Sequence, residues 1–279
     1  MNPLKETWLV AARDCRRSVR SFKGVAMASL SVLAALAATF KLPKFEEAMD
    51  DVHKLDPEQL REIKLRIFGK LYGDEATGRM LADAPVRLVI LFFIAVWLAP
   101  LLVMIVGFDN VSSDLQHRAV RFLAIRTRRG AYYAGKFLAL WAVVAAVTLF
   151  MQLMIWGVTI VRADAPAGET VLWGLRFWAT SLPISGAWCG LATLAGSPFR
   201  TPMLSLLGIA SAFFVLFFAG FIVGKGGDVA WLRVLYPNNW DGWILGPTPL
   251  RVAEGLGACF GSMLVTVGFG AWAFAQRDV

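Results

Sequence analysis

Six apolar runs limit what this chain can fold into. They cover residues 24–40, 86–107, 137–161, 171–196, 203–223 and 252–275. A helix needs roughly 17–25 mostly apolar residues to cross a bilayer core, and each run reaches or approaches that length. Backbone in hydrocarbon must satisfy its own hydrogen bonds, which leaves helices or a closed barrel. A barrel would read as ~10-residue segments of alternating polarity, and the runs here are continuous. The chain is 57% hydrophobic and 17% charged, where a soluble domain carries about 25% charge. The expectation is an all-α membrane protein: a six-helix transmembrane bundle forming one domain over 1–279.

Between the second and third runs lies a polar island, 108–136, that is dense in arginine. Arg118, Arg121, Arg126, Arg128, Arg129 and Lys136 face only Asp109 and Asp114. Val111, Leu115, Ala119, Phe122 and Ile125 recur at helical spacing, which predicts an amphipathic helix of about four turns ending at Gly130. A basic helix between two spans has two ordinary explanations. It is topogenic, marking the cytoplasmic side, or it is a docking surface for a soluble partner.

The order Asp114, then Arg118–Leu123, then Arg128-Arg129, then Gly135-Lys136 opening the third span resembles the cytoplasmic loop of ABC type 2 exporter permeases. Gln116 and Thr127 depart from that pattern, standing where glutamate and proline are common. The closing Arg277-Asp278-Val279 and the amphipathic segment ahead of the first span are similar to that family too. The resemblance implies a non-catalytic permease subunit, two chains working with two ABC ATPase subunits. On that basis Asp114, Arg118, Arg121, Phe122 and Arg126 would form the coupling surface on which the ATPase docks. It also implies the bacterial cytoplasmic (inner) membrane as location. A membrane-embedded scaffold of an envelope complex, without an ATPase, would share the spans and the basic loop.

Ahead of the first run, Leu4, Trp8, Ala11, Cys15, Val19 and Phe22 form one helical stripe. Arg13, Arg16, Arg17 and Arg20 fall largely on the other faces. Such a helix lies in the membrane interface, with its apolar side in lipid and its arginines among the headgroups. Trp8 and the four arginines are the expected membrane-interface residues of this elbow. Lys and Arg are equally numerous on the two sides, but the segments assigned inside are shorter and so denser in charge. Both termini are therefore placed in the cytoplasm.

The outer segment 41–85 contains a helix start, with Asp56 as cap and Pro57 at the first position. The loop 224–250 holds Trp231, Trp240, Trp243 and Tyr236, the composition of an aromatic belt. Arg251 and Glu254 stand at i, i+3 and can pair. In the third run Gln152 is a lone amide, the usual glue between helices, or less often a pore-lining group. Gly186-x-x-x-Gly190 and Gly257-x-x-x-Gly261 permit close helix approach.

Catalytic patterns do not assemble. Gly130 to Lys136 reads GxxxxGK, but Phe137 replaces the Ser or Thr that would hold magnesium, and no strand precedes the glycine. His53 and His117 fall on opposite sides of the predicted topology and cannot share a metal. No HExxH, CxxC or GxSxG occurs. No cofactor and no metal site is expected. The net charge of +8 would suit nucleic acid, but the cations flank apolar spans, so membrane lipids and an inner-face partner explain them better.

Overall fold

The structure is a computed structural model that describes residues 2–21, 24–25, 29, 33, 57–72, 74–117, 127–161, 166–223 and 236–276. Most of the first apolar run, His53, Asp56, Trp231, the terminal Arg-Asp-Val and the arginine-rich stretch 118–126 lie outside the described residues. Within them the regular structure is entirely helical.

The elements are α1 (Pro3–Arg20), α2 (Pro57–Tyr72), α3 (Glu75–Ala82), α4 (Val86–Gly107), α5 (Ser112–Gln116), α6 (Arg129–Val161), α7 (Ala167–Gly196) and α8 (Pro202–Val223). A short 3-10 turn (Pro237–Trp240) then leads to α9 (Asp241–Ile244) and α10 (Pro249–Ala275). Four stretches are long and apolar enough to cross a membrane: Leu88–Gln116, Arg129–Val161, Pro202–Ala219 and Pro249–Ala275. Large apolar side chains stand exposed along them, among them Trp97 and Leu101 on α4, Phe214 and Val215 on α8, and Leu264 and Val265 on α10. An apolar surface so extensive needs an apolar solvent.

The helix α7 has the length to span but is not among the four. Its place in the bundle accounts for this, since α4, α6, α8 and α10 all pack on it. Lipid touches little of its middle, so it is built from small and hydroxylic residues instead of long aliphatic ones. Phe177, Ile184, Ala187, Trp188, Cys189 and Ala192 are buried in the core. The hydroxyls of Thr180, Ser181, Ser185 and Thr193 donate to carbonyls three or four residues earlier in the same helix, so their burial leaves no orphan donor. At Gly186 and Gly190 the backbone of α7 meets Met263 and Thr266 of α10, with no room for a Cβ. Gly257 and Gly261 have nothing near them. The first of the two small-residue motifs therefore does the packing inside the chain.

Three local expectations change. Gly130 sits in the first turn of α6, which begins at Arg129 and runs eight residues ahead of the apolar boundary. Gln152 is not glue between helices: its Oε1 accepts from Nε1 of Trp156 on the same helix at 3.2 Å, which orients the indole against Gly174 of α7. Tyr236 and Trp240 are buried in the core, leaving Trp243 as the half-exposed one among the described members of that group. Tyr236 meets Trp188 edge-on, and Asn238 accepts from Nε1 of Trp188 at 2.8 Å.

One end of the bundle is covered by α2 and α3, with Phe68 and Leu81 in the core and Tyr72 against Phe93. Arg251 reaches across to Asp74 at 2.6 Å, so it serves the cap and not Glu254. The same Asp74 caps α3 and takes the Thr77 hydroxyl at 2.7 Å; that bond holds its carboxyl below the usual range. Beneath the cap, burial pushes the Asp241 carboxyl up to about 7, against opposing help from the Gly242 amide and Tyr72. A carboxyl raised on folding favours the folded state while protonated, and that contribution is lost as pH climbs from the ordinary carboxylate range through about 7. Melting curves between pH 4.5 and 8 should show the wild type losing stability with pH more steeply than Asp241→Asn. Equal slopes would contradict the assignment.

Candidate functional site

At the end opposite the α2–α3 cap, α1 lies along the first half of α6. Contact is close enough that a Cβ on Gly135 would come within 2.7 Å of the Val10 Cβ. The face α1 turns inward is Glu6, Val10, Ala11 and Asp14. Of the predicted stripe, Leu4, Trp8 and Val19 are exposed, as a face turned to lipid would be, while Ala11 departs from it and is buried against protein. Two acids thus enter the interior, and each meets a specific partner.

Glu6 accepts the Arg128 backbone N–H at 2.9 Å, an anion on the positive end of α6. At the next residue the Arg129 guanidinium donates to the Ala275 carbonyl at 2.7 Å, a cation on the negative end of α10. The start of α6 is therefore tied to both ends of the described chain.

Two turns further, Lys136 is buried with its side chain only 3% exposed. Its Nζ lies 2.6 Å from Asp14 Oδ2 on α1 and 2.6 Å from Asp114 Oδ2 on α5. The Tyr132 hydroxyl donates to the same Asp114 oxygen at 2.9 Å, and Arg17 reaches the other one at 3.1 Å. The Asn110 amide donates to the Lys136 carbonyl at 3.0 Å, closing the turn between α4 and α5. Two cations and two carboxylates balance. That matters, because a lone ion here would carry a desolvation cost of several kcal/mol. Three helices far apart in sequence meet at one ammonium.

The predicted residues separate accordingly. Asp114 is 2% exposed and serves as an anchor inside the fold, with no side-chain surface to offer a partner. Arg118, Arg121, Phe122 and Arg126 lie outside the described residues. Of the interface group, Trp8 is 70% exposed, Arg13, Arg16 and Arg20 project outward, and Arg17 is half-exposed but committed to Asp114. Asp14, Tyr132 and Lys136 were not expected to form a site. The signal was the four-residue spacing of Glu6, Val10 and Asp14, which puts acids on one face with an apolar residue. Among the described residues no cluster of His, Cys, Asp and Glu suits a metal ion.

No protein-family model matches the chain, and no curated protein matches it.

A buried ion that loses its partner is strongly penalised, so Lys136→Met should destabilise the protein by about 3–5 kcal/mol. Glu62→Met, which removes an exposed i, i+4 pair on α2, should cost less than about 0.5 kcal/mol. Denaturant titration in detergent compares the two. Similar small losses would mean that the cluster is not load-carrying.

Proposed function

We propose that this chain is the permease subunit of an ABC type 2 exporter. It would act as a homodimer with two ATPase subunits in a bacterial cytoplasmic membrane, both termini inside. In this reading residues 24–40 and α7 supply the first and fourth of six spans, and α1 is the interfacial elbow. The observation that carries it is the Lys136 cluster. It fastens the start of the arginine-rich loop, through Asp114, both to α1 and to the first turns of a membrane-length helix. A loop built only to set topology has no need of an anchor with three buried charges. A loop that must transmit force does, because a push on it has to move α6 and not merely bend the connection.

The roles then divide. Asp114 positions the loop, and Arg118, Arg121, Phe122 and Arg126 present the docking surface. ATP-driven closure of the partner subunits presses on that surface, and α1, α5 and α6 move together. The chain itself does no catalysis in this scheme and binds no cofactor.

Tagged protein extracted in mild detergent from its native host should bring down a protein carrying the ATPase motifs. The pair Arg121→Glu and Phe122→Glu should abolish that co-purification and leave membrane insertion intact. Undiminished binding by the double variant would overturn the docking assignment. Absence of any ATPase on the intact wild type would favour the scaffold.

A further inference from the structure

Beside the Lys136 cluster, a cleft of about 610 Å³ runs between α1, α6 and the α4–α5 turn. It is amphipathic along its length. Arg17, Ser18, Asn110 and Ser113 line one end; Val143, Val147 and Phe150 line the other. The wall between them includes Ala142 and Ala146, one helical turn apart on α6, which leave a groove where larger side chains would fill it. From Lys136 to Phe150 the rise of 1.5 Å per residue gives ~21 Å. That is about half of a bilayer with its headgroup layers, or one leaflet.

Charge selects the occupant. Both acids of α1 point inward and are buried, so the helix exposes only cations: Lys5, Arg13, Arg16, Arg17 and Arg20. At the polar end itself, Arg17 uses two of its guanidinium nitrogens on Asp114 and Ser113. Its side chain is nonetheless 57% exposed, and a guanidinium carries five N–H donors. Asp14 and Lys136 neutralise each other there. Asp109 also stands at this end; with Arg13 and Arg20 one turn either side of Arg17, four cations (Arg13, Arg17, Arg20 and Lys136) meet three acids (Asp14, Asp109 and Asp114) there.

We propose that the cleft binds one anionic phospholipid of the inner leaflet. Its phosphate is held by Arg17 with the Ser18 hydroxyl, and an acyl chain lies in the groove over Ala142 and Ala146 against Val143, Val147 and Phe150. The lipid wedges α1 against α6 and makes their docking depend on the membrane's anionic content. Membrane placement is required for this site and an ATPase partner is not, so the two proposals fail separately.

Native mass spectrometry of the purified chain, titrated with phosphatidylglycerol and with phosphatidylcholine, tests it. One phosphatidylglycerol should bind per chain, at least tenfold tighter than phosphatidylcholine. Ala146→Trp fills the groove and should abolish that tight site with its melting temperature unchanged. Arg17→Gln should bring phosphatidylglycerol down to the phosphatidylcholine level. Should Arg17→Gln fail to fold, the same preference must collapse in the wild type at 1 M salt. Equal binding of the two lipids, tight binding retained by Ala146→Trp, a preference insensitive to salt, or glycerol phosphate binding as well as the lipid would each overturn the site.

Discussion

The junction of α1, α5 and α6 depends on one ammonium group. Lys136 neutralises Asp14 on α1 and Asp114 on α5 at 2.6 Å each, and its own backbone carbonyl holds Asn110. Beside the ions lies a small apolar cluster of Val10, Val111, Tyr132, Tyr133 and Phe274, which packs the same elements together. The short helix α5 has five residues, below the length at which a helix is stable by itself. On α1 the residues that face protein include two acids. Ion pairing is added to packing here. It also makes the arrangement all-or-none, since removing any one charge strands its neighbours.

The rest of the fold is organised by a different constraint, the mismatch between surfaces that see lipid and surfaces that see protein. Helices α4, α8 and α10 carry bulky apolar side chains outward. The central α7 carries glycine, serine and threonine because its neighbours approach to backbone contact. Without a hydrophobic drive between helices in lipid, close packing of small residues and self-satisfied hydroxyls supply the association. The opposite end, under α2 and α3, uses the methods of a soluble protein: an Asp74 cap, a pair from Asp74 across to Arg251, and a buried Tyr236 and Trp240.

Much of this was legible in the chain. The runs 86–107 and 203–223 coincide with helices to within a residue, because length and apolarity alone specify them. The start of α2 at Pro57 follows from proline's fixed backbone angle. What could not be read were relations between distant elements. Asp14 and Lys136 are brought together by the rotation of α1 about its axis, and an amphipathic stripe does not say which side meets protein. Tyr236 and Trp240 have the composition of a headgroup belt; only the fold of α9 beneath the cap buries them. Gln152 looked like an interhelical donor because its nearest partner, Trp156, is usually counted as apolar.

The most direct measurement is hydrogen exchange on Lys136→Met in lipid nanodiscs, compared with the wild type. A joint anchor predicts that amides of α1 and of residues 112–116 lose protection together and by the same factor, while those of α7 keep theirs. Loss confined to one of the two segments, or none in either, would show that α1 and α5 are held independently and that Lys136 does not couple them.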